Sequence, residues 1–257
     1  MNEPSTVDEA QLQAAARMIT AARYCTALVG AGISKESGIP TFRGEGGLWT
    51  RQGEPPMNGY QIFLQDPRAW WLERLAQVRT PPEFARAIDA AQPNPGHLAL
   101  AELERRGLLR HLITQNVDNL HVLAGSDNLT EIHGNRRKLR CIACGQRGPM
   151  RDFADDQVPP HCEHCGGIVK TDTVMFGEPI PPDFLRASVH HTERSDLMLV
   201  IGTSATVYPA ADFPLQVLRG GGSIIEINTT ETPFTPYAAI SLLGPAGVIL
   251  PRIIAAL

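Results

Sequence analysis

Two cysteine pairs carry the sharpest chemical signal in the sequence. Cys141-Ile142-Ala143-Cys144 is followed, after 17 intervening residues, by Cys162-Glu163-His164-Cys165. Knuckles of this spacing let four thiolates surround a tetrahedral zinc ion, and a closed thiolate shell leaves no position for activated water, so the expected role is structural. Gly145 and Gly166 follow the second cysteine of each pair, where tight turns can aim amides at sulfur. A pair of disulfides is the competing reading, disfavoured by the odd total of five cysteines and by the close pairing. His161 and His164 are alternative ligands, with solvated loop histidines the plainer reading. Cys25 reads as a small buried strand residue.

A second group is polar and glycine-rich. Gly30-Ala31-Gly32 follows an apolar run and could let backbone amides approach a pyrophosphate. The dinucleotide fingerprint is incomplete, because Lys35 stands where the third glycine belongs and no acidic residue ends a second strand about 20 residues on. An ordinary strand-to-helix turn explains the glycines equally well. Thr114-Gln115-Asn116-Val117-Asp118-Asn119-Leu120-His121 places amides and a carboxylate where they could hold a carboxamide and a ribose. Glu131-Ile132-His133-Gly134-Asn135 adds an imidazole able to act as general base, although a single histidine is more often structural.

These groups must be positioned by regular elements. Asp8 to Arg23 and Pro95 to Arg106 have helical periodicity, the second with Leu98, Leu100, Ala101 and Leu103 towards the core. Cys25–Val29, Leu112–Thr114, Leu197–Ile201 and Ser223–Ile227 are short apolar runs suited to buried parallel strands. Such alternation predicts an α/β fold with a doubly wound parallel sheet, whose ligands bind beyond the carboxyl ends of the strands. Gly30, Gln115-Asn116, Gly202-Thr203-Ser204 and Asn228 all lie at those ends. Two stretches break the alternation: Thr41 to Ala91, with Trp70, Trp71, Leu75 and Phe84 as buried anchors, and Asn135 to Lys170, which holds all four paired cysteines.

Composition narrows the classes further. The 257 residues are 43% hydrophobic and 19% charged, enough for a sizeable core and too ordered a mixture for global disorder. The formal charge is −4, which disfavours nucleic acid as the main partner, but residues 135–170 carry seven basic against four acidic side chains. That local +3 motivates a rival reading as a zinc-ribbon nucleic-acid or partner-binding module. No apolar run reaches the ~18 residues of a membrane span, and the first residues lack the pattern of a secretory signal, so a cytoplasmic location and no membrane partner are expected.

The motifs together resemble the sirtuins, NAD-dependent protein deacylases, in their bacterial type. Gly30 to Arg43, Gln115 to His121, His133-Gly134-Asn135, the four cysteines, Phe176-Gly177-Glu178 and Gly202-Thr203-Ser204 through Tyr208-Pro209-Ala210-Ala211 occur in that family's order. The resemblance implies a Rossmann-like NAD-binding domain (1–40, 92–134 and 171–257), a helical insertion with the cofactor loop (41–91) and a zinc-binding ribbon (135–170). It implies that Gly30, Ala31, Gly32, Phe42 and Arg43 hold NAD around its phosphates and nicotinamide ribose. Gln115, Asn116 and Asp118 would line the ribose and nicotinamide pocket, and Gly202, Ser204, Asn228 and Ala246 the adenosine half. His133 would be the general base, with Asn116 also catalytic, and Cys141, Cys144, Cys162 and Cys165 would hold one structural zinc. An extended acyl-lysine peptide would add as a strand along Val174, Phe176, Gly177 and Glu178. The implied products are free lysine, nicotinamide and O-acyl-ADP-ribose. Mono-ADP-ribosyl transfer or NAD hydrolysis on the same scaffold is the alternative.

The sequence departs from the family in the helical insertion. Members that take acidic acyl groups carry a Tyr-x-x-Arg pair there; anchoring on Asp66-Pro67 puts Arg74 and Gln77 at those positions. This favours acetyl-lysine over a desuccinylase or demalonylase preference, with Arg74 kept as a candidate carboxylate partner beside the plainer reading of a solvated arginine. Glu231-Thr232-Pro233 is a further loop variant with no evident role.

Overall fold

The computed structural model describes residues 7–43, 46–204 and 206–257. The first six residues, part of the stretch read for a secretory signal, lie outside these. Helix α1 (Glu9–Ala21) begins at Asp8, whose carboxylate accepts from the Ala10 amide, and leads into β1 (Cys25–Val29) and a 3₁₀ segment, Ala31–Ser37. Four helices follow: α2 (Leu48–Gln52), α3 (Gly59–Gln65), α4 (Pro67–Arg79) and α5 (Glu83–Ala90). Next come α6 (Pro95–Arg105), β2 (His111–Thr114), α7 (Leu120–Leu123) and β3 (Leu129–Glu131). Strands β4 (Lys138–Cys141), β5 (Arg147–Pro149) and β6 (Val169–Thr171) precede α8 (Pro182–Arg194). The chain ends with β7 (Leu197–Ile201), α9 (Phe213–Arg219), β8 (Ser223–Asn228), β9 (Ile240–Leu243) and α10 (Ala246–Ala255).

Six strands form one parallel sheet in the order β3-β2-β1-β7-β8-β9. The chain winds outward from β1 to β3, then crosses to β7 and winds the other way. The order therefore reverses between β1 and β7, which opens a crevice at their carboxyl ends. Every residue of β1 and β7 is buried, because both faces of the sheet are covered. Ala27, Val29, Leu199 and Ile201 pack with Leu12, Leu100, Leu103 and Ile249 on one side. Leu28, Met198 and Val200 pack with Phe213 and Val217 on the other. The edge strands β3 and β9 had no sequence signal: each is short and mixes polar with apolar residues.

Helix α6 corrects one expectation. Its start is fixed by Asn94, which accepts from the Gly96 and His97 amides, and this phase buries Gly96, His97, Ala99, Leu100 and Leu103. Leu98 is 51% exposed and Ala101 only half-buried. Of the expected stripe, Leu100 and Leu103 face the core, while Leu98 and Ala101 do not.

The two irregular stretches pack against each other. Strands β5-β4-β6 make a three-stranded antiparallel sheet. Its Leu139, with Val158, meets Trp71 and Leu75 of α4, and the Trp71 indole donates to the Val169 carbonyl at 2.9 Å. Trp70 is half-buried beside this cluster, Phe84 half-buried against Phe42, and the fully buried Phe63 was not anticipated.

Away from the crevice, at the amino ends of the strands, the His111 and His191 rings stack at 3.6 Å with an interplanar angle of 5°. His111 Nε2 shares a hydrogen bond with Thr130 Oγ1, and His191 Nδ1 with Tyr24 Oη. Burial first, then His191 and His190, push His111 down to about 3, and burial pushes His97 down to about 4. Both are neutral in the fold at neutral pH yet titrate near 6.5 when unfolded, so their contribution is complete above about pH 6.5 and is lost as pH falls to about 4 for His97 and about 3 for His111. The unfolding free energy should drop on acidification by about 1.4 kcal/mol per pH unit for each proton bound only by the unfolded chain. Denaturant titrations between pH 7.5 and 4.5 will show a shallower slope for His111→Gln. An unchanged slope would refute the assignment.

Candidate functional site

The polar strand ends converge at the β1/β7 crevice. Asn116 donates through Nδ2 to the Gly30 carbonyl at 3.1 Å and to Ser34 Oγ at 3.2 Å. Ser34 in turn donates to Asp118 Oδ2 at 2.7 Å, and Asp118 Oδ1 accepts from the Leu120 amide. Burial raises Asp118 against the opposing effect of these donors. Asn119, at φ +71°, turns the chain here, and its side chain accepts from Asn135 at 2.7 Å. Gln115 Nε2 reaches Thr203 Oγ1 at 3.0 Å, and Asn228 Nδ2 reaches the Thr203 carbonyl at 3.0 Å. Buried amides, hydroxyls and one carboxylate thus come together from β1, β2, β7 and β8, a donor set suited to a carboxamide and a ribose.

The glycines serve this convergence differently from the expectation. Gly30 and Gly32 give their amides to the Ile201 and Gly202 carbonyls, so these two donors are engaged within the fold. A Cβ on Gly30 would lie 2.7 Å from Gly202 O, and one on Gly32 2.6 Å from Gly202 Cα. Their smallness lets the β1 and β7 ends touch. Ser204 pairs with Thr206, and Ala246 is buried at the start of α10 beside Gly96. Phe42 lies against Trp49 and Phe84, and Arg43 sits over the Trp49 ring while pairing with Glu54. Gly44, the next residue of the motif, lies outside the described residues.

His133 closes the crevice. Its Nδ1 lies 3.0 Å from the Gln115 carbonyl, an acceptor, so Nδ1 carries the proton and Nε2 keeps its lone pair. Burial lowers its pKa, only partly offset by that carbonyl. The His133 carbonyl accepts from the Val174 amide at 2.8 Å. Val174 to Glu178 was expected as a strand and turn; the turn is present at Phe176-Gly177, the residues before it form no regular strand, and Trp49 packs on Phe176. The Glu178 carboxylate is buried against Arg140 and Lys170, so this residue offers backbone and not a charge to the segment's open side.

The four cysteine sulfurs lie within 4.8 Å of one another, with Sγ–Sγ separations of 3.6 Å for Cys141/Cys165 and 3.8 Å for Cys144/Cys162. A tetrahedron with Zn–S of about 2.3 Å has edges near 3.8 Å, which these two separations match, so the donor set fits such an ion. All four are free thiols, and His161 bonds the Gly166 carbonyl instead of joining them. Burial pushes Cys25 up to about 12, which makes it inert.

The positive excess of residues 135–170 is consumed internally. Arg136 and Arg137 pair with Asp89, Lys138 with Glu131, Arg140 with Asp172 and Glu178, Arg147 with Asp172 and Asp183, Arg151 with Glu163, and Lys170 with Glu178. All but Glu163 come from outside the stretch. Each cation of the stretch therefore has a carboxylate partner. Arg74 is half-buried, not solvated; burial lowers it, with Asp89 acting in the opposite sense. The Glu231 loop also acquires a role: Thr232, Thr235 and Ser241 hydroxyls all donate to Glu226, a buried carboxylate in the middle of β8.

Sequence reasoning missed the roles of Ser34 and of His97, whose Nε2 lies 3.4 Å from Ser34 Oγ, and named Thr203 without its partner. Ser34 lay inside the glycine motif, and His97 was readable as the third residue of a helix capped by Asn94. Nothing local marked Thr203 as the partner of Gln115.

The sequence profile of the Sir2 family matches residues 30–209. A chain from Archaeoglobus fulgidus named NAD-dependent protein deacylase 1 is 44% identical over 241 residues, covering 93% of this chain and 94% of its own. An NAD-dependent protein deacetylase from Caldivirga maquilingensis is 41% identical, covering 89% of this chain and 86% of its own. A solved Sir2 homologue bound to NAD superposes with a TM-score of 0.77 at 43% identity, covering 100% of this chain and 96% of that one. A Sir2 variant with a deacetylated p53 peptide and 3′-O-acetyl ADP-ribose gives a TM-score of 0.78 at 32% identity, covering 95% and 97%.

Gly134 provides a direct test of the site's geometry. It has φ +76°, and an added Cβ would fall 2.0 Å from the Asp172 carbonyl oxygen. Gly134→Ala should cost about 2–5 kcal/mol through backbone strain and overpacking. A urea midpoint within error of the parent would show that this contact is not made.

Proposed function

The chain belongs to the Sir2 family, and from that premise we propose that it is an NAD-dependent protein-lysine deacylase, releasing nicotinamide and O-acyl-ADP-ribose from NAD and an acyl-lysine peptide. The observation that carries the reading is His133: a neutral imidazole with Nε2 unprotonated, facing the same crevice as Asn116 and Asp118. Bound NAD supplies a C1′–nicotinamide bond weakened by the pyridinium charge. Asn116 and Gln115 hold the carboxamide and ribose, and Ser34 keeps Asp118 oriented. Gly30, Ala31, Gly32, Phe42 and Arg43 form the wall around phosphates and nicotinamide ribose; Gly202, Ser204, Asn228 and Ala246 form the adenosine side. Aromatic packing of Phe42, Trp49 and Phe176 excludes water between cofactor loop and peptide edge. As nicotinamide leaves, the acyl-lysine amide oxygen would bond to C1′; His133 Nε2 would then accept the proton of a ribose hydroxyl, whose oxygen attacks the carbon of the resulting imidate, and water would release the free lysine.

Val174, Phe176 and Gly177 offer the backbone edge on which an acyl-lysine peptide lies. Acetyl is the proposed acyl group, because Arg74 and Gln77 stand where the tyrosine–arginine pair would be. The four cysteines hold one structural zinc, and the span 135–170 is the ribbon, 41–91 the helical insertion and the remainder the NAD-binding domain. Clustered thiols suit the reducing cytoplasm, and among the described residues no helix is long and apolar enough to cross a membrane. The relatives named above are archaeal, and the bacterial type is our proposal from the motifs.

Two measurements test this reading. Acyl-peptide-dependent nicotinamide release should fall by about 10²–10⁴ in His133→Ala, and the parent's acid limb should lie below the ordinary imidazole value of about 6.5, since burial lowers the base. Mass spectrometry showing ADP-ribose on protein, or ADP-ribose with no acyl transfer, would replace the deacylase with a transferase or hydrolase. Separately, Cys144→Ser or chelation should release one zinc per chain and melt the small sheet, lowering activity indirectly. Metal analysis that finds no zinc in the parent protein would end that assignment.

A further inference from the structure

Lys170 has no exposed side-chain surface and takes no part in the chemistry above. Its Nζ donates to the Thr171 carbonyl at 2.8 Å and the Thr173 carbonyl at 2.6 Å, and pairs with Glu178 Oε2 at 3.1 Å. Arg140 lies beside it on β4. Its Nε reaches Asp172 Oδ1 at 3.0 Å and its Nη2 reaches Glu178 Oε1 at 2.6 Å. Glu178 Oε2 also accepts from the Met175 amide at 2.9 Å. Two cations of the cysteine-bearing sheet thus grip both ends of the segment 171–178.

The same segment touches the base. The Asp172 carboxylate accepts from the Asn135 amide at 3.2 Å, its carbonyl fills the space beside Gly134, and the Val174 amide donates to the His133 carbonyl. Burying four charged groups is costly, and such a network contributes little net stability compared with apolar packing. Its distinct effect is to fix one arrangement, because a displaced member leaves a charge unpaired out of water. Burial pulls Lys170 down to about 8, so at neutral pH it still carries its charge.

We propose that Lys170, Arg140 and Glu178 are positioning residues that lock the peptide edge, Val174–Gly177, to the His133–Asn135 turn, so that the cysteine sheet sets the distance between bound acyl-lysine and the base. This rests on the deacylase reading. The clamp acts on the peptide side alone, since none of its members contacts the Asn116–Ser34–Asp118 cluster.

The test compares Glu178→Gln, which keeps size and the Met175 hydrogen bond, with Lys170→Met and the double variant, each as full-length zinc-loaded protein. Amide exchange of residues 133–135 and 174–178 should quicken about tenfold in each single variant, with β1 and β7 amides unchanged. The KM for an acetyl-lysine peptide should rise about tenfold while the NAD dissociation constant, measured without peptide, moves less than twofold. The double variant should be no worse than the weaker single, because both remove one clamp. Unchanged exchange in Glu178→Gln, equal losses in peptide and NAD binding, or additive effects would each overturn the proposal. Absence of peptide-dependent nicotinamide release by the parent would sink the deacylase reading instead, and the exchange data would still decide the clamp.

Discussion

Asp172 and Glu178 meet Arg140, Arg147 and Lys170 almost entirely out of water, and the two halves of this molecule are joined through that meeting. Buried ions demand partners: a charge removed from water without compensation costs several kcal/mol or more. The small sheet therefore has one docking position, in which its surplus of cations faces carboxylates from elsewhere in the chain. Its own apolar core is modest, built with α4 around Trp71 and Leu139. Orientation comes from charge, cohesion from that core and from four thiolates arranged to share one ion.

The larger half obeys a different constraint. Its central strands are buried on both faces, so alternate residues feed two separate cores, and a polar residue away from a strand end, such as Glu226, needs partners within the fold. Reversal of winding between β1 and β7 leaves those ends facing a common crevice. Gly30, Gly32 and Gly202 let the two backbones close to contact there. Asn116, Ser34 and Asp118 then satisfy one another in a place where an unpaired polar group would be expensive. These mutual hydrogen bonds fix the orientation of each member of the cluster.

Between these halves sits His133. The Gln115 carbonyl fixes its tautomer from the sheet side, and the Val174 amide holds its backbone from the other. Both modules thus contribute to the placement of one imidazole.

Sequence by itself determined the parts whose cause is local. Apolar runs as short as Cys25–Val29 can only be buried strands when both faces are covered, and cysteines two apart in two knuckles can converge on a single ion whatever surrounds them. The ordered motifs likewise identified the family, and with it the crevice residues. Tertiary structure decided what depends on partners remote in sequence. The edge strands β3 and β9 carry no period of their own and exist because a neighbour pairs with them. Leu98 faces water because Asn94 sets the phase of α6. Glu178 looked like a residue for substrate until Lys170 and Arg140 were found on it, and the basic stretch 135–170 looked like a binding surface until carboxylates from Asp89 to Asp183 were found neutralising it. A charge's meaning is set by what it faces, and that is fixed only when the chain has folded.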